Sequence, residues 1–383
     1  MSTILFAGGG TLGHIIPAVA VARELQKQHP DISVHFVCSP RGEAAFLEKE
    51  HLPHTILDAP RMSWNFPWKF FRAYKQSCAL LRSINPSVIF SKGGYIAVPV
   101  CIAAHRMKIP IILHESDAVM GRANRLIAKM ATHVCLGFPI KVASCKLQKS
   151  DSATCNLQLS FTGNPLRSEI TRGSREAGLR LTGFSGTRPI LLIMGGSQGA
   201  QAINEWTAAH LQELTSVCDV IHLTGKGRAE GHKDQGPRAQ ADSGMRVDVA
   251  PLRPCALAYF PLDFAHKELA DLYACSDIAM SRAGAGSIAE LAGNGIPTIL
   301  IPLRGVAHDH QVFNAKSLLE REAALLVTQN EMDKKLMNML KQLIHDPAAR
   351  EILRSKIREF CIGDSTGQIV NVISHTLAGK QGT

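Results

Sequence analysis

The sequence predicts an α/β protein built from two doubly wound domains in tandem, and three observations predict it. Two strand-to-helix junctions carry glycine-rich loops, one in each half of the chain. Apolar runs of strand length alternate with amphipathic stretches of helical period through both halves. A length of 383 residues is too great for one ordinary hydrophobic core and suits two.

Taken in order, an apolar run at 3–7 meets Gly8-Gly9-Gly10-Thr11-Leu12-Gly13-His14 and then an amphipathic stretch ending near Gln28. Strand-like runs follow at 33–38, 87–90, 109–113 and 133–136. Several are almost wholly apolar, as strands of a parallel sheet covered on both faces should be. The second half repeats the alternation at 190–194, 217–223, 278–280 and 298–301, and its first run meets Gly195-Gly196-Ser197-Gln198-Gly199-Ala200. Between the halves, 141–159 is polar and poor in large apolar side chains, which places the junction near residue 165. The expected domains are therefore 1–165 and 166–345, with 346–383 a C-terminal helical segment. The stretch 226–243, rich in glycine, charge and glutamine, reads as an exposed loop.

Composition narrows the function classes. A net charge of +10 and a pI near 9.2 favour an anionic partner: nucleic acid, an acidic membrane surface or phosphorylated small molecules. A hydrophobic fraction of 45% argues against large-scale disorder. The ten cysteines include no C-x-x-C pair, which reads as reduced thiols in a cytosolic protein. The N-terminus runs straight into a strand pattern without a signal peptide. No run approaches the roughly 18 apolar residues of a membrane span, so the chain can touch a membrane but should not cross it.

The loops carry the chemistry. At a helix N-terminus, unpaired N–H groups and the helix dipole both favour an anion, so two cradles suggest two phosphorylated ligands, or one held between two domains. Gly8-x-Gly10-x-x-Gly13 matches the dinucleotide fingerprint, but the second strand ends Cys38-Ser39-Pro40-Arg41 without the acidic ribose ligand, which excludes NAD and leaves NADP a weak case. A third element, Ser281-Arg282-Ala283-Gly284-Ala285-Gly286-Ser287, leads into a helix through Glu290. Ser287-x-x-Glu290 reads either as a capping box or as a phosphate and ribose site; the preceding glycines favour the ligand. His14, in the first helical turn, should be neutral at physiological pH and able to accept a proton, because a positive helix end disfavours imidazolium. His308-Asp309-His310-Gln311 has no third partner placed by spacing and does not make a metal site. There is no Asp-x-Asp either, so a phosphorylated leaving group would rely on amides, helix dipoles and cations such as Arg167, without a divalent ion.

Residues 61–75 hold two of the three tryptophans, three phenylalanines and four cations in a chain with only 5% aromatics. Rings mixed with Lys and Arg suit a membrane interface; buried core aromatics are the alternative.

Gly9-Gly10-Thr11-Leu12-Gly13-His14, Gly93-Gly94-Tyr95, His114-Glu115-Ser116-Asp117, Gly163-Asn164-Pro165-Leu166-Arg167, Gly195 to Ala200, Ser281 to Ser287 with Glu290, and His310-Gln311 with Asn314-Ala315 occur in this order. Together they resemble the MurG family, the undecaprenyldiphospho-muramoylpentapeptide β-N-acetylglucosaminyltransferases of glycosyltransferase family 28. The resemblance runs from Gly8 to about Ala315. It implies a GT-B fold, two Rossmann-like doubly wound domains facing a central cleft, with the C-terminal helix packing back on the first. It also implies an enzyme that transfers GlcNAc from UDP-GlcNAc to the C4 hydroxyl of undecaprenyl-diphosphate-linked MurNAc-pentapeptide (lipid I). Inversion at C1 would give lipid II for peptidoglycan synthesis. By matching positions, the donor contacts would be Thr11, Leu12, Gly13, Asp117, Arg167, Ser197, Ala285, Gly286, Ser287, Ile288, Ala289, Glu290 and Gln311. The first loop would face the acceptor diphosphate, with His14 as base and no cofactor. Trp64, Phe66, Trp68, Lys69, Phe70, Phe71 and Arg72 would dock the protein peripherally on the cytoplasmic face of the inner membrane. The implied partners are UDP-GlcNAc, lipid I, anionic lipid and other cell-wall enzymes, with no nucleic acid. Three motifs depart from the family pattern: Leu12 stands for a glycine, Ser116-Asp117 for Gln-Asn, and His308-Asp309 for Asp-Asn. A GT-B transferase with another sugar nucleotide or acceptor, an inactive cell-wall scaffold and an NADP-dependent oxidoreductase remain open at this point.

Overall fold

The computed structural model describes residues 2–9, 12–40, 42–59, 66–139, 157–196, 199–225, 258–305 and 309–381. The segment 226–243 lies outside them. The chain divides into two units, Met1–Arg167 with Cys361–Thr383, and Ser168–Phe360.

The first unit comprises β1 (Thr3–Gly8), α1 (Leu12–Gln28), β2 (Ser33–Cys38), α2 (Gly42–Lys49), β3 (His54–Ile56), α3 (Phe66–Ile84), β4 (Val88–Gly93), α4 (Ala97–Arg106), β5 (Ile111–Glu115), α5 (Arg122–Ala128), β6 (His133–Leu136) and β7 (Gln158–Phe161). The seven strands form one parallel sheet in the order β3-β2-β1-β4-β5-β6-β7. Alternate side chains of the central strands enter opposite cores, which is why β1 is apolar from Ile4 to Ala7 and β5 from Ile111 to Leu113 rather than at every second residue. Ile4, Phe6, Phe36 and Phe90 pack with Ile15, Val19 and Leu25 of α1. Leu5, Ala7, Ile89 and Leu113 pack with Leu81 of α3, Val100 of α4 and Ile127 of α5. Each fully buried Ile, Leu or Phe contributes about 1.5–3 kcal/mol of transfer free energy.

The second unit comprises α6 (Arg175–Thr182), β8 (Ile190–Met194), α7 (Gln201–Ala209), α8 (Leu211–Val217), β9 (Asp219–Leu223), β10 (Tyr259–Leu262), α9 (Leu269–Cys275), β11 (Ile278–Ser281), α10 (Ala285–Asn294), β12 (Thr298–Leu300), α11 (His310–Leu319), β13 (Leu325–Leu326), α12 (Met337–His345) and α13 (Pro347–Arg358). Its parallel sheet runs β10-β9-β8-β11-β12-β13. Leu191, Ile193, Val220 and Met280 pack against Ile203 and Trp206 of α7, Leu340 and Leu343 of α12, and Leu353 of α13.

The last helix, α14 (Ser365–Gln381), lies in the first unit. Ile369, Val370 and Ile373 are buried in the same core as α1. The Ser365 and Thr366 hydroxyls donate to the carbonyls of Asn164 (2.8 Å) and Leu166 (3.2 Å). Two boundaries differ from the sequence expectation. These hydroxyls tie Asn164 and Leu166 to α14, and residues 166 and 167, expected to open the second domain, fall in the first unit. The segment expected at 346–383 is divided, because α13 buries Leu353 in the second core and only the chain from Cys361 belongs to the first unit. Four strands carry no clear sequence signal: β3, β7, β10 and the two-residue β13 are short.

In each sheet the strand order reverses at one point, between β1 and β4 in the first unit and between β8 and β11 in the second. Open α/β sheets bind ligands outside the carboxyl ends of the strands flanking such a point. The glycine loops after β1 and β4 flank the first reversal, and those after β8 and β11 flank the second.

Candidate active site

At the first reversal the two loops touch. Gly94 has φ of +82°, and a Cβ there would lie 2.5 Å from the carbonyl oxygen of Gly9, so only glycine allows this approach. The β1–β4 register also slips: Ala7 pairs with Ser91 and Gly8 with Gly93, leaving Lys92 as the extra residue of a bulge. Bulges re-aim a side chain, and here Lys92 is turned inward until only 1% of it is exposed.

A polar cluster surrounds that ammonium. Lys92 Nζ donates to His114 Nδ1 (2.7 Å) and to Ser116 Oγ (2.6 Å). His114 Nε2 lies 2.9 Å from the carbonyl of Gly163, which can only accept, so Nε2 carries the proton and Nδ1 the lone pair that Lys92 uses. Burial, and then Lys92, hold His114 well below its ordinary pKa. Burial draws Lys92 itself down to about 7, against the opposing pull of Glu115 and Asp117. Glu115 is pushed up to about 7, first by burial and then by Asp117, although it accepts from the Asp117 backbone N–H (2.9 Å) and Asn124 Nδ2 (2.8 Å). Asn164 Nδ2 donates to the Ser116 carbonyl (3.0 Å), joining the 163–167 stretch to the same loop.

His14 stands at the edge of this cluster, in the first turn of α1 and half-buried. Its Nδ1 lies 3.2 Å from the Lys92 carbonyl, so Nδ1 donates and Nε2 is left as the acceptor. Its pKa is lowered, as expected, but the cause differs: burial acts first and the Lys92 ammonium second, with Asp117 opposing. Gly13 is exposed beside it; Asp117 and Arg167 are partly exposed. Thr11 and the Leu12 side chain lie outside the described residues.

At the second reversal, Gly199 has φ of +70° and packs its Cα against the chain just after β9, where a Cβ would lie 2.2 Å from the Thr224 carbonyl. Ser197 lies outside the described residues. The capping-box reading of Ser287 fails, because Gly284 is the N-cap of α10 without a side-chain cap bond, and Ser287 is already inside the helix. Glu290, one turn further, accepts from the buried Tyr273 hydroxyl (2.8 Å), which also lies 3.7 Å from Met194 Sδ at the end of β8. Ala285, Gly286 and Ser287 remain accessible, whereas the side chains of Ile288 and Ala289 are buried in the core. Those two can offer a ligand only their backbone. Asn314 donates to the Ala283 carbonyl (3.1 Å) and pins the loop after β11, while Gln311 Oε1 accepts from Leu303 N–H (3.0 Å).

The aromatic and basic stretch lies on α3. Ala73, Ser77 and Leu81, spaced by four, are buried, while Trp68 is 82% and Phe71 51% exposed. Lys69, Arg72 and Lys75 are exposed with them, Phe70 is intermediate, and Lys75 Nζ lies 4.7 Å from the Phe71 ring centroid. The core-aromatic alternative therefore fails for Trp68 and Phe71. Trp64 and the Phe66 side chain lie outside the described residues. Among the described residues no helix is long and apolar enough to cross a membrane.

Sequence reasoning singled out neither Lys92 nor Tyr273. A signal for Lys92 exists: a lone cation closing an apolar strand immediately before a Gly-Gly pair. Tyr273 gives none, since its hydroxyl meets Glu290 only through the packing of α9 beneath β8.

The chain matches the model of the glycosyltransferase family 28 N-terminal domain over residues 4–136 and that of the family 28 C-terminal domain over 190–360. It is 34% identical over 353 residues to a UDP-N-acetylglucosamine–N-acetylmuramyl-(pentapeptide) pyrophosphoryl-undecaprenol N-acetylglucosamine transferase of Clostridium botulinum, covering 90% of this chain and 91% of the relative. A transferase of the same name from Legionella pneumophila is 34% identical over 381 residues, covering 97% and 96%. The fold is similar to the crystal structure of Acinetobacter baumannii MurG, with a TM-score of 0.74 at 24% identity over 98% of this chain and all of the other.

Proposed function

Because the chain belongs to glycosyltransferase family 28, we propose that it transfers GlcNAc from UDP-GlcNAc to the C4 hydroxyl of lipid-linked MurNAc-pentapeptide, with inversion and release of UDP. Among the site's features, His14 carries this reading. Its Nδ1–H is committed to the Lys92 carbonyl, so Nε2 offers a lone pair at the carboxyl edge of the first sheet. As the acceptor oxygen bonds to C1 and the C1–O bond to the diphosphate breaks, the hydroxyl proton passes to Nε2. The bonding pair leaves with UDP. A positioned general base of this kind supplies about 10²–10⁴-fold. A histidine of lowered pKa is neutral, and so ready, at physiological pH.

The second unit supports the nucleotide side of the reading. Its two glycine loops flank the strand reversal, where amides and the α10 N-terminus favour a diphosphate. Glu290, held by Tyr273, is proposed to accept from the ribose hydroxyls. Exposed Trp68 and Phe71 among Lys69, Arg72 and Lys75 support peripheral docking on anionic lipid at the cytoplasmic face of the inner membrane, where a bilayer-anchored acceptor would be met.

UDP release from UDP-GlcNAc in the presence of a lipid I analogue tests the reading, with UDP-glucose and UDP-GalNAc as competing donors. A disaccharide-lipid product formed with UDP-GlcNAc is expected. Preference for another donor, or UDP binding without turnover, would replace it by a different GT-B transferase or a scaffold.

A further inference from the structure

We propose that Lys92 is the positioning residue of the first unit's site: its ammonium straps the loop after β5 to β4, and its carbonyl fixes the imidazole of His14. The inference rests on the proposed role of His14 and adds to it a group on neither side of the reaction.

Three observations carry it. The bulge that buries Lys92 falls at the strand reversal, between the two glycine loops, where it leaves Lys92 without a register partner on β1. The side-chain contacts of Lys92 join elements of the site: His14 meets its carbonyl, and His114 and Ser116 meet its ammonium. Gly8 closes over the stem, since a Cβ there would lie 3.2 Å from Lys92 Cβ. A methionine would fill the same space without desolvating a cation, so core packing alone gives no reason for a lysine.

The strap also has an electrical consequence. The groups facing Lys92 are His14 from α1, His114, Glu115 and Asp117 from β5 and its loop, and Cys135 from β6. Against the imidazole of His14, the ammonium opposes protonation, while Asp117 and, from α2, Glu43 favour it. Loss of Lys92 therefore raises the His14 pKa as well as loosening the ring, whereas loss of a neutral strap partner loosens without raising.

The test compares Lys92→Met and Ser116→Ala with the wild type in the full chain. Two readouts are taken: turnover with UDP-GlcNAc and a lipid I analogue, and the His14 imidazole titration by NMR. Lys92→Met should lower kcat roughly 10²-fold, with KM for UDP-GlcNAc changed by no more than about twofold, as for a misplaced catalytic group. Its His14 titration should move to higher pH, and with it the acid limb of kcat/KM. Ser116→Ala, on a partly exposed loop, should lower kcat less and leave the titration in place. A His14 titration unmoved by Lys92→Met overturns the inference. Wild-type kcat in Ser116→Ala does the same and is decisive should Lys92→Met fail to fold. If the wild type transfers no GlcNAc while the titration still moves, the proposed function fails and the coupling of Lys92 to His14 stands.

Discussion

The buried ammonium of Lys92 makes stability depend on pH in a way that one substitution should remove. Its pKa is about 7 in the folded protein against an ordinary 10.5. Between those values the unfolded chain holds a proton that the folded chain lacks, so the contribution of Lys92 to stability grows as pH rises through that window and is smallest below pH 7. Each unit of pH at full separation is worth about 1.4 kcal/mol, and allowing for half-titration at the lower end the gain from pH 7 to 9 is about 2 kcal/mol. Lys92→Met lacks this gain. Glu115 and the buried thiols titrate in both proteins, so to first order they cancel in the comparison. Because Lys92 favours the ionised form of Glu115, its loss shifts that carboxyl further upward, which acts in the same direction. The assay is urea unfolding at pH 7, 8 and 9, followed by pulsed deuterium labelling of peptides from β4 and β5. With slopes near 2 kcal/mol per molar, the midpoint difference between wild type and variant should widen by about 1 M across the series. A difference constant with pH would refute a buried lysine that discharges near neutrality.

Three further outcomes are expected. His14→Ala should lower kcat by roughly 10²-fold or more while UDP affinity, measured by calorimetry, is retained; near-normal turnover would remove the histidine from the chemistry. Glu290→Gln weakens a charge-assisted hydrogen bond worth roughly 1.5–3 kcal/mol, so UDP-GlcNAc affinity should fall about tenfold or more with little change in melting temperature, since Gly284 rather than Ser287 caps α10. Replacing Trp68 and Phe71 together by Ser should reduce sedimentation with anionic vesicles and slow turnover of a long-chain acceptor while a short-chain soluble one is still used, because each cation retained on α3 supplies only about 1 kcal/mol; equal loss on both acceptors, with unfolding, would place the docking surface elsewhere.

What the sequence determined by itself is what short-range physics encodes. The largely apolar runs at 33–38, 133–136 and 190–194 became strands with those limits, because a strand covered on both faces needs apolar residues at most of its positions. The first helix ends at Gln28, and the glycine loops stand at strand ends, since positive φ and close backbone approach are demands that glycine meets locally. The order of the motifs along the chain was enough for the family resemblance. What the sequence left undecided is whatever depends on which strands become neighbours. Only the sheet order puts the loop after β1 against the loop after β4, 85 residues later, and only the slip in their pairing turns Lys92 into the interior. The cause of the lowered His14 pKa followed the same rule: helix position predicted the direction, but burial and a lysine 78 residues away supply it. The division of 346–383 was likewise tertiary, because α13 and α14 are both amphipathic enough to pack, and which core each one finds is settled by contacts far from either helix. Local pattern fixes what a segment becomes; long-range packing fixes what its side chains meet, and the chemistry of this site lies in the meetings.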